Sequence, residues 1–304
     1  MRQLNRIIMK PYQVACFGEV LWDILPDKKL PGGAPMNVAY HLQKLGVPVA
    51  MISSTGDDAD GDDLRQVMQQ LQLDTTFIQR DPAHETGKVY ARLAATNEMQ
   101  YEIVQPVAWD FIQPSAGLQE IAKTPGYLVF GSLASRNEVS RETLLSLLNG
   151  DRTLVLDINL RPPHFTQELV ELLLQQCQIL KINEAELKLI GDWYQFPADM
   201  EERVLAFSQK YDIPTIIVTL GDKGAALLED NVFYQHPGYQ VTVADTIGSG
   251  DAFLAGFLYN RIINTPPAIT LAYACALGAL VASYHGGCPA YNPDEIIALI
   301  QQVK

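Results

Sequence analysis

The chain's pattern predicts an α/β fold: a three-layer, mostly parallel sheet with helices on both faces. Three observations lead there. Short β-branched runs alternate with helical patterns along most of the 304 residues. The runs are apolar throughout rather than every second residue, as strands covered on both faces must be. The patterns between them are long enough for the crossovers that parallel strands require.

Taken in order, the run at 14–18 precedes a helical pattern at 37–45, the run at 49–53 one at 62–71, and the run at 128–130 one at 141–148. The beat continues with runs at 153–157, 179–182 and 215–219. Ligands of such a sheet are expected at the carboxyl ends of its strands. One region departs from the beat. The segments 88–93 and 99–104 alternate polar and apolar residues around a turn at Thr96, Asn97 and Glu98, which predicts a β-hairpin. The stretch 21–30 also reads as extended, with a turn at Pro26 and Asp27. Together these form either a small sheet set apart as a lid over a cleft or an antiparallel edge of the main sheet. The pattern leaves both open.

A composition of 48% hydrophobic residues supplies a sizeable core. Cys16, Cys177, Cys275 and Cys288 match no C-x-x-C spacing, so they are expected as reduced thiols, with neither a disulfide scaffold nor a zinc site. The first residues lack a signal-peptide pattern, and the most apolar stretch, 271–283, is too short to span a bilayer. A soluble cytoplasmic protein with no membrane partner is the expectation. The formal net charge of −13 opposes nucleic-acid binding but not a small nucleotide held by local glycine loops.

The most informative stretch is Asp245-Thr246-Ile247-Gly248-Ser249-Gly250-Asp251, followed at once by an apolar helical run at 252–258. Glycines around a serine at a helix start converge backbone N–H groups on an anion, with phosphate the natural guest. A carboxylate at the mouth of such a site can accept a proton from an attacking hydroxyl. On its own the same tetrapeptide is more often a glycine turn with Asp251 as a cap.

The heptad resembles the D-T-x-G-[AS]-G-D signature of the ribokinase-like (PfkB) carbohydrate kinases. Gly32-Gly33-Ala34-Pro35-Met36-Asn37-Val38-Ala39 resembles that family's G-G-x-x-x-N-x-A segment, and the resemblance covers essentially the whole chain. Within the family, Gly18-Glu19-Val20-Leu21-Trp22-Asp23 and Pro106-Val107-Ala108-Trp109-Asp110 look most like the fructokinases. The resemblance implies one ribokinase-like kinase domain over 1–304, with a β lid from about 21–31 and 86–106, that transfers the γ-phosphoryl group of ATP to D-fructose. It gives Asp251 the role of general base and Gly248, Ser249 and Gly250 that of anion hole. Asp23, Gly33, Asn37 and Arg161 then contact the substrate, although a strand-end salt bridge remains an alternative for Arg161. Asn183 and Glu186 match the family's N-x-x-E motif, Asn183 beside the nucleotide and Glu186 orienting Mg²⁺ through water, and Thr219, Gly221 and Gly224 match its nucleotide turn. A K⁺ site is implied at backbone carbonyls around Asp245, Ile247 and Gly286, with Ala290 standing where a serine ligand is common. Lids in this family often pair into homodimers. Tyr90, Arg92 and Tyr101 are the hairpin's candidate sugar contacts. The alternatives are a family kinase for ribose, a nucleoside or a 2-keto-3-deoxy sugar acid, or a silent relative that binds sugar or nucleotide without turnover.

Overall fold

The computed structural model describes residues 12–93 and 99–302, with the side chains at 92, 93, 99 and 100 outside the description. The turn expected at Thr96, Asn97 and Glu98 therefore lies outside the described residues. The first half of the chain runs β1 (Val14–Phe17), β2 (Leu21–Ile24), β3 (Lys29–Gly32), α1 (Ala34–Lys44), β4 (Val49–Gly56), α2 (Ala59–Gln70), β5 (Ile78–Asp81), β6 (Gly87–Leu93), β7 (Met99–Ile103), α3 (Ala116–Ala122), β8 (Gly126–Gly131) and α4 (Glu138–Leu148). It continues with β9 (Arg152–Asp157), α5 (Gln167–Leu174), β10 (Ile179–Asn183), α6 (Glu184–Trp193), α7 (Met200–Tyr211), β11 (Thr215–Thr219), β12 (Ala225–Glu229), β13 (Val232–His236), α8 (Ser249–Ile262), α9 (Pro267–Ala282) and α10 (Pro293–Gln302).

The main sheet has the order β13-β12-β11-β10-β9-β8-β1-β4-β5. Its strands pair in parallel from β5 across to β11, and β12 and β13 close one edge antiparallel. Alternate residues of one strand enter different cores: Ala15 and Phe17 of β1 pack with α3 to α7, whereas Val14 and Cys16 pack with α1, α2 and α8 to α10. Two apolar layers, one per sheet face, explain why these strands read as uninterrupted hydrophobic runs. Helix α9 is apolar on nearly every side because it lies between α8 and α10, and no helix among the described residues is long and apolar enough to cross a membrane.

The segments that broke the beat form their own sheet, of order β3-β2-β6-β7, and not an edge of the main one. Its register decides which residues share a face. Asp23 pairs with Val89, and Tyr101 with Ala91, so Asp23, Val89, Ala91 and Tyr101 lie on one face, while Trp22, Lys88 and Tyr90 lie on the other. That second face rests on α2. The Trp22 indole N–H donates to the Asp60 carbonyl at 2.9 Å, and the Lys29 and Lys88 ammoniums reach the Asp60 carboxylate at 2.8 and 2.9 Å. Tyr90 is thus turned away from Asp23, contrary to its expected part in sugar recognition. Tyr101 shares the Asp23 face, and the side chain of Arg92 lies outside the described residues.

Candidate active site

The predicted site residues gather beyond the carboxyl ends of the main strands, from the segment after β1 to the ends of β9, β10 and β11; β1 itself has β4 on one side and β8 on the other. Strand order reverses there, and a crevice opens for that reason. Helix α8 begins at this end of the sheet. Gly248 is its N-cap at φ 76°, and a Cβ on Gly248 would stand 2.5 Å from the Gly287 Cα, so this turn requires glycine for both its φ and its space. The Ala252 N–H closes the first helical bond on the Gly248 carbonyl at 2.8 Å. The amide and hydroxyl of Ser249 turn back to the Thr246 carbonyl, at 3.3 and 3.0 Å. The first-turn amides of Gly250 and Asp251, ahead of that first bond, have no intrahelical acceptor and carry the positive end of the helix dipole. Of the predicted anion turn, Ser249 is thus the member whose amide is already engaged.

Asp251 is buried, and its Oδ2 accepts a 2.8 Å hydrogen bond from the Asn37 side-chain amide of α1. Burial pushes its carboxyl up to about 6, the nearby Asp157 adds to the rise, and Lys181, the Asn37 bond and Arg161 hold it down. The Asn37 amide is itself fixed: its Oδ1 accepts from the Cys288 thiol at 3.3 Å, and a Cβ on Gly287 would stand 2.7 Å from its Nδ2. Asn37, expected as a sugar contact, thus also orients the expected base.

Asp23 stands on β2, pushed up to about 6 first by burial, with Arg161 opposing and Asp245 and Asp251 adding to the rise. A Cβ on Gly32 would fall 2.2 Å from an Asp23 carboxylate oxygen, and one on Gly33, at φ 115°, 2.3 Å from the Glu19 carbonyl. The paired glycines therefore let α1 begin hard against the turn after β1. Arg161 lies on the exposed loop after β9, within electrostatic reach of Glu19, Asp23 and Asp251.

A cavity of about 480 Å³ runs from the β11–β12 turn to the head of α8, lined by Thr219, Gly221 and Gly224 at one end and Ser249 and Gly250 at the other. Phe253, Val243 and Ala279 give it an apolar wall. The predicted nucleotide turn and the anion turn thus share one hollow. Asn183 and Glu186 stand outside that lining and form a capping box: Asn183 Oδ1 accepts from the Glu186 N–H at 2.9 Å, and Glu186 Oε2 from the Asn183 N–H at 3.0 Å. The other Glu186 oxygen accepts from the Leu160 N–H at 2.7 Å, which fixes the loop carrying Arg161. Asp245 joins the expected cation-site positions, accepting from the Ile247 N–H at 3.0 Å and the Gly286 N–H at 3.1 Å.

Three residues at this site were not assigned from sequence. Glu19 is buried behind Gly33, accepts from the Ala34 N–H at 3.2 Å, and is pushed up to about 7 by burial. Lys181 is buried on β10 with both Asp157 oxygens at 3.0 and 2.8 Å. Cys288 touches Asn37, and burial beside Asp251 and Asp23 pushes its thiol well above the ordinary range.

A model of the pfkB family carbohydrate kinases matches residues 7–294. The chain is 27% identical to a fructokinase of Salmonella typhimurium, over 91% of this chain and 95% of that one. It is 27% identical to an aminoimidazole riboside kinase of Salmonella typhimurium, over 93% of each. Among solved structures, a double mutant of a Vibrio cholerae fructokinase, with fructose, ADP and potassium ion bound, superposes with a TM-score of 0.81 at 26% identity, over 95% of this chain and 98% of that one.

Glu19 makes stability depend on pH. A carboxyl held at about 7 in the folded chain and in the ordinary range when unfolded keeps its proton longer in the fold. Its contribution is complete below the unfolded value and is lost as pH rises through about 7. Glu19→Gln should therefore gain stability relative to the parent between pH 5 and pH 8, by about 2 kcal/mol. Urea denaturation at both pH values checks this, and parallel curves exclude it.

Proposed function

Because the chain belongs to the pfkB family of carbohydrate kinases, we propose that it phosphorylates D-fructose to fructose 6-phosphate with ATP. The observation that carries this reading is Asp251, buried at the head of α8, aimed by Asn37, next to the Ser249 and Gly250 end of the large cavity. Asp251 accepts the proton of the attacking hydroxyl as the oxygen bonds to the γ-phosphorus and the bond to the ADP oxygen breaks. The Gly248–Gly250 turn receives charge on the phosphoryl oxygens, with preorganised amides and the helix dipole doing most of the stabilisation. Asp23, Gly33, Asn37 and Arg161 hold the sugar. The four-stranded sheet serves as the lid that excludes water, and Thr219, Gly221 and Gly224 hold the nucleotide, with Asn183 nearby.

Fructose is supported by the Salmonella and Vibrio relatives, both fructokinases. The aminoimidazole riboside kinase supports a riboside as the second reading. Mg²⁺ enters with ATP. Among the described residues no group of three or more His, Cys, Asp or Glu could hold a metal ion. Such an ion would be held by phosphates and water, with Glu186 ordering that water, and would supply charge neutralisation to the phosphates. K⁺ would be held by backbone carbonyls around Asp245, Ile247 and Gly286, three positions that the Asp245 carboxylate draws together through the Ile247 and Gly286 amides. The four free thiols accord with the cytoplasm. The lid is the surface by which two copies would pair.

An ADP-release assay over a panel of sugars tests the substrate. Fructose should give the highest kcat/KM, and a preference of tenfold or more for ribose, aminoimidazole riboside, adenosine or 2-keto-3-deoxygluconate, about 1.4 kcal/mol, would exclude it. Absence of turnover with every sugar would favour a silent binding relative.

Glu186→Gln should raise the Mg²⁺ concentration needed for half-maximal rate. A loss equal at every Mg²⁺ concentration would confine Glu186 to capping α6 and holding Leu160.

Asp251→Asn keeps size and the contact with Asn37 but removes the proton acceptor. Its kcat should fall by ~10²–10⁴ while sugar binding, read by calorimetry, persists. Retention of more than about a tenth of the parent kcat would remove Asp251 from the role of base.

A further inference from the structure

The geometry points to Lys181 as a positioning residue for this reaction: an ammonium clamped by Asp157 beneath Gly250, which holds Asp251 ionised and offsets charge arriving at the anion turn. The inference rests on Asp251 being the general base.

Lys181 interrupts the apolar run Ile179-Leu180-Lys181-Ile182 of β10 and is buried. Its partner lies directly across the parallel pair, since Lys181 and Asp157 are opposite each other in the β9–β10 register. The ammonium donates to both Asp157 oxygens, at 3.0 and 2.8 Å. An ammonium has three donors, so one remains beyond this clamp.

Gly250 locates the charge relative to the turn. Unlike Gly248, it has no positive φ, so what limits a side chain there is space and not backbone conformation. A Cβ on Gly250 would stand 3.1 Å from Lys181 Nζ, the nearest atom outside its own helix turn. The ammonium thus lies against the first turn of α8, one residue before Asp251.

The charges around Asp251 show why a cation is needed. Asp157 and Arg161 face it from β9 and the loop that follows, and Glu19 and Asp23 from the turn after β1 and from β2. The Cys288 thiol and the Asn37 amide complete the surroundings. Arg161 is exposed, so Lys181 is the buried cation among these acids. Asp157 and Asp251 hold its own proton above the ordinary lysine range despite burial. Among the charges acting on Asp251, that of Lys181 is the largest influence against burial.

The test is the pH dependence of kcat/KM for Lys181→Met, Lys181→Arg and the double variant Lys181→Met with Asp157→Asn, with Asp251→Asn alongside. Loss of the ammonium should move the acid limb of the Met variant up by about one pH unit and lower kcat more than it raises KM. Lys181→Arg should return the limb to the parent position. Should the Met variant fail to fold, the double variant, which does not strand the Asp157 carboxylate, should show the limb displaced in the same direction but by less, because Asp157 itself raises Asp251 and Lys181 is the larger of the two influences. An acid limb unmoved in a folded variant without the ammonium, or displaced equally in the Arg variant, overturns the proposal. So does failure of both Met variants to fold, which would make Lys181 a requirement of the core. If Asp251→Asn keeps its rate, the reading of Asp251 as base fails. If it loses its rate while the limb stays fixed, only the role of Lys181 does.

Discussion

The hydrogen bond from Asn37 to Asp251 joins residues 214 apart in sequence, and the arrangement of the site follows from it. A carboxylate buried at a helix head is costly unless donors and opposite charge surround it. Asn37 is one donor, the open end of α8 supplies a dipole, and Lys181 lies on the side of the sheet. For Asn37 to reach, α1 must run beside α8, and it does so because Gly33 lets α1 start against the Glu19 carbonyl. The residual elevation of Asp251, to about 6, leaves it mostly ionised at neutral pH and still a stronger base than a solvated carboxylate.

Much of the fold was legible because strands buried on both faces have no other reading once helical stretches separate them. The small sheet was less so. Alternation at 88–93 and 99–104 identifies a hairpin, but whether it pairs with β2 or with the main sheet depends on contacts distant in sequence. The same holds for the face of each tyrosine, which the β2–β6 register decides: Tyr90 toward α2 and Tyr101 toward Asp23.

At the site, the glycine-rich turns were legible because glycine is needed for reasons a short motif records. Lys181 was not, because one lysine in an apolar strand carries no sign of a partner 24 residues away. Glu19 was not either, since its burial depends on α1 folding over it. The Asn183 and Glu186 pair reads from the family motif as nucleotide and metal-side residues, and its capping box was not read from the sequence. The cap is what the geometry displays, and it leaves the metal-side reading to the lone pairs that the backbone amides do not use.

A chain of net charge −13, with Glu19, Asp23, Asp157, Asp245 and Asp251 around one cleft, repels a triphosphate at long range. Backbone amides answer this better than a field of lysines, because they bind phosphate by direction and add no mobile charge. The cost is that backbone must approach backbone. Gly248 lies against Gly287, and Gly287 against the Asn37 amide, each close enough to exclude a single methyl group. The anion turn, the loop after α9, Asn37 and Asp251 therefore form one stack of contacts. Through Gly287 and Asn37 the turn at Gly248 is thus in continuous contact with Asp251, so the proposed proton acceptor and the proposed phosphoryl site are held by one set of packed groups.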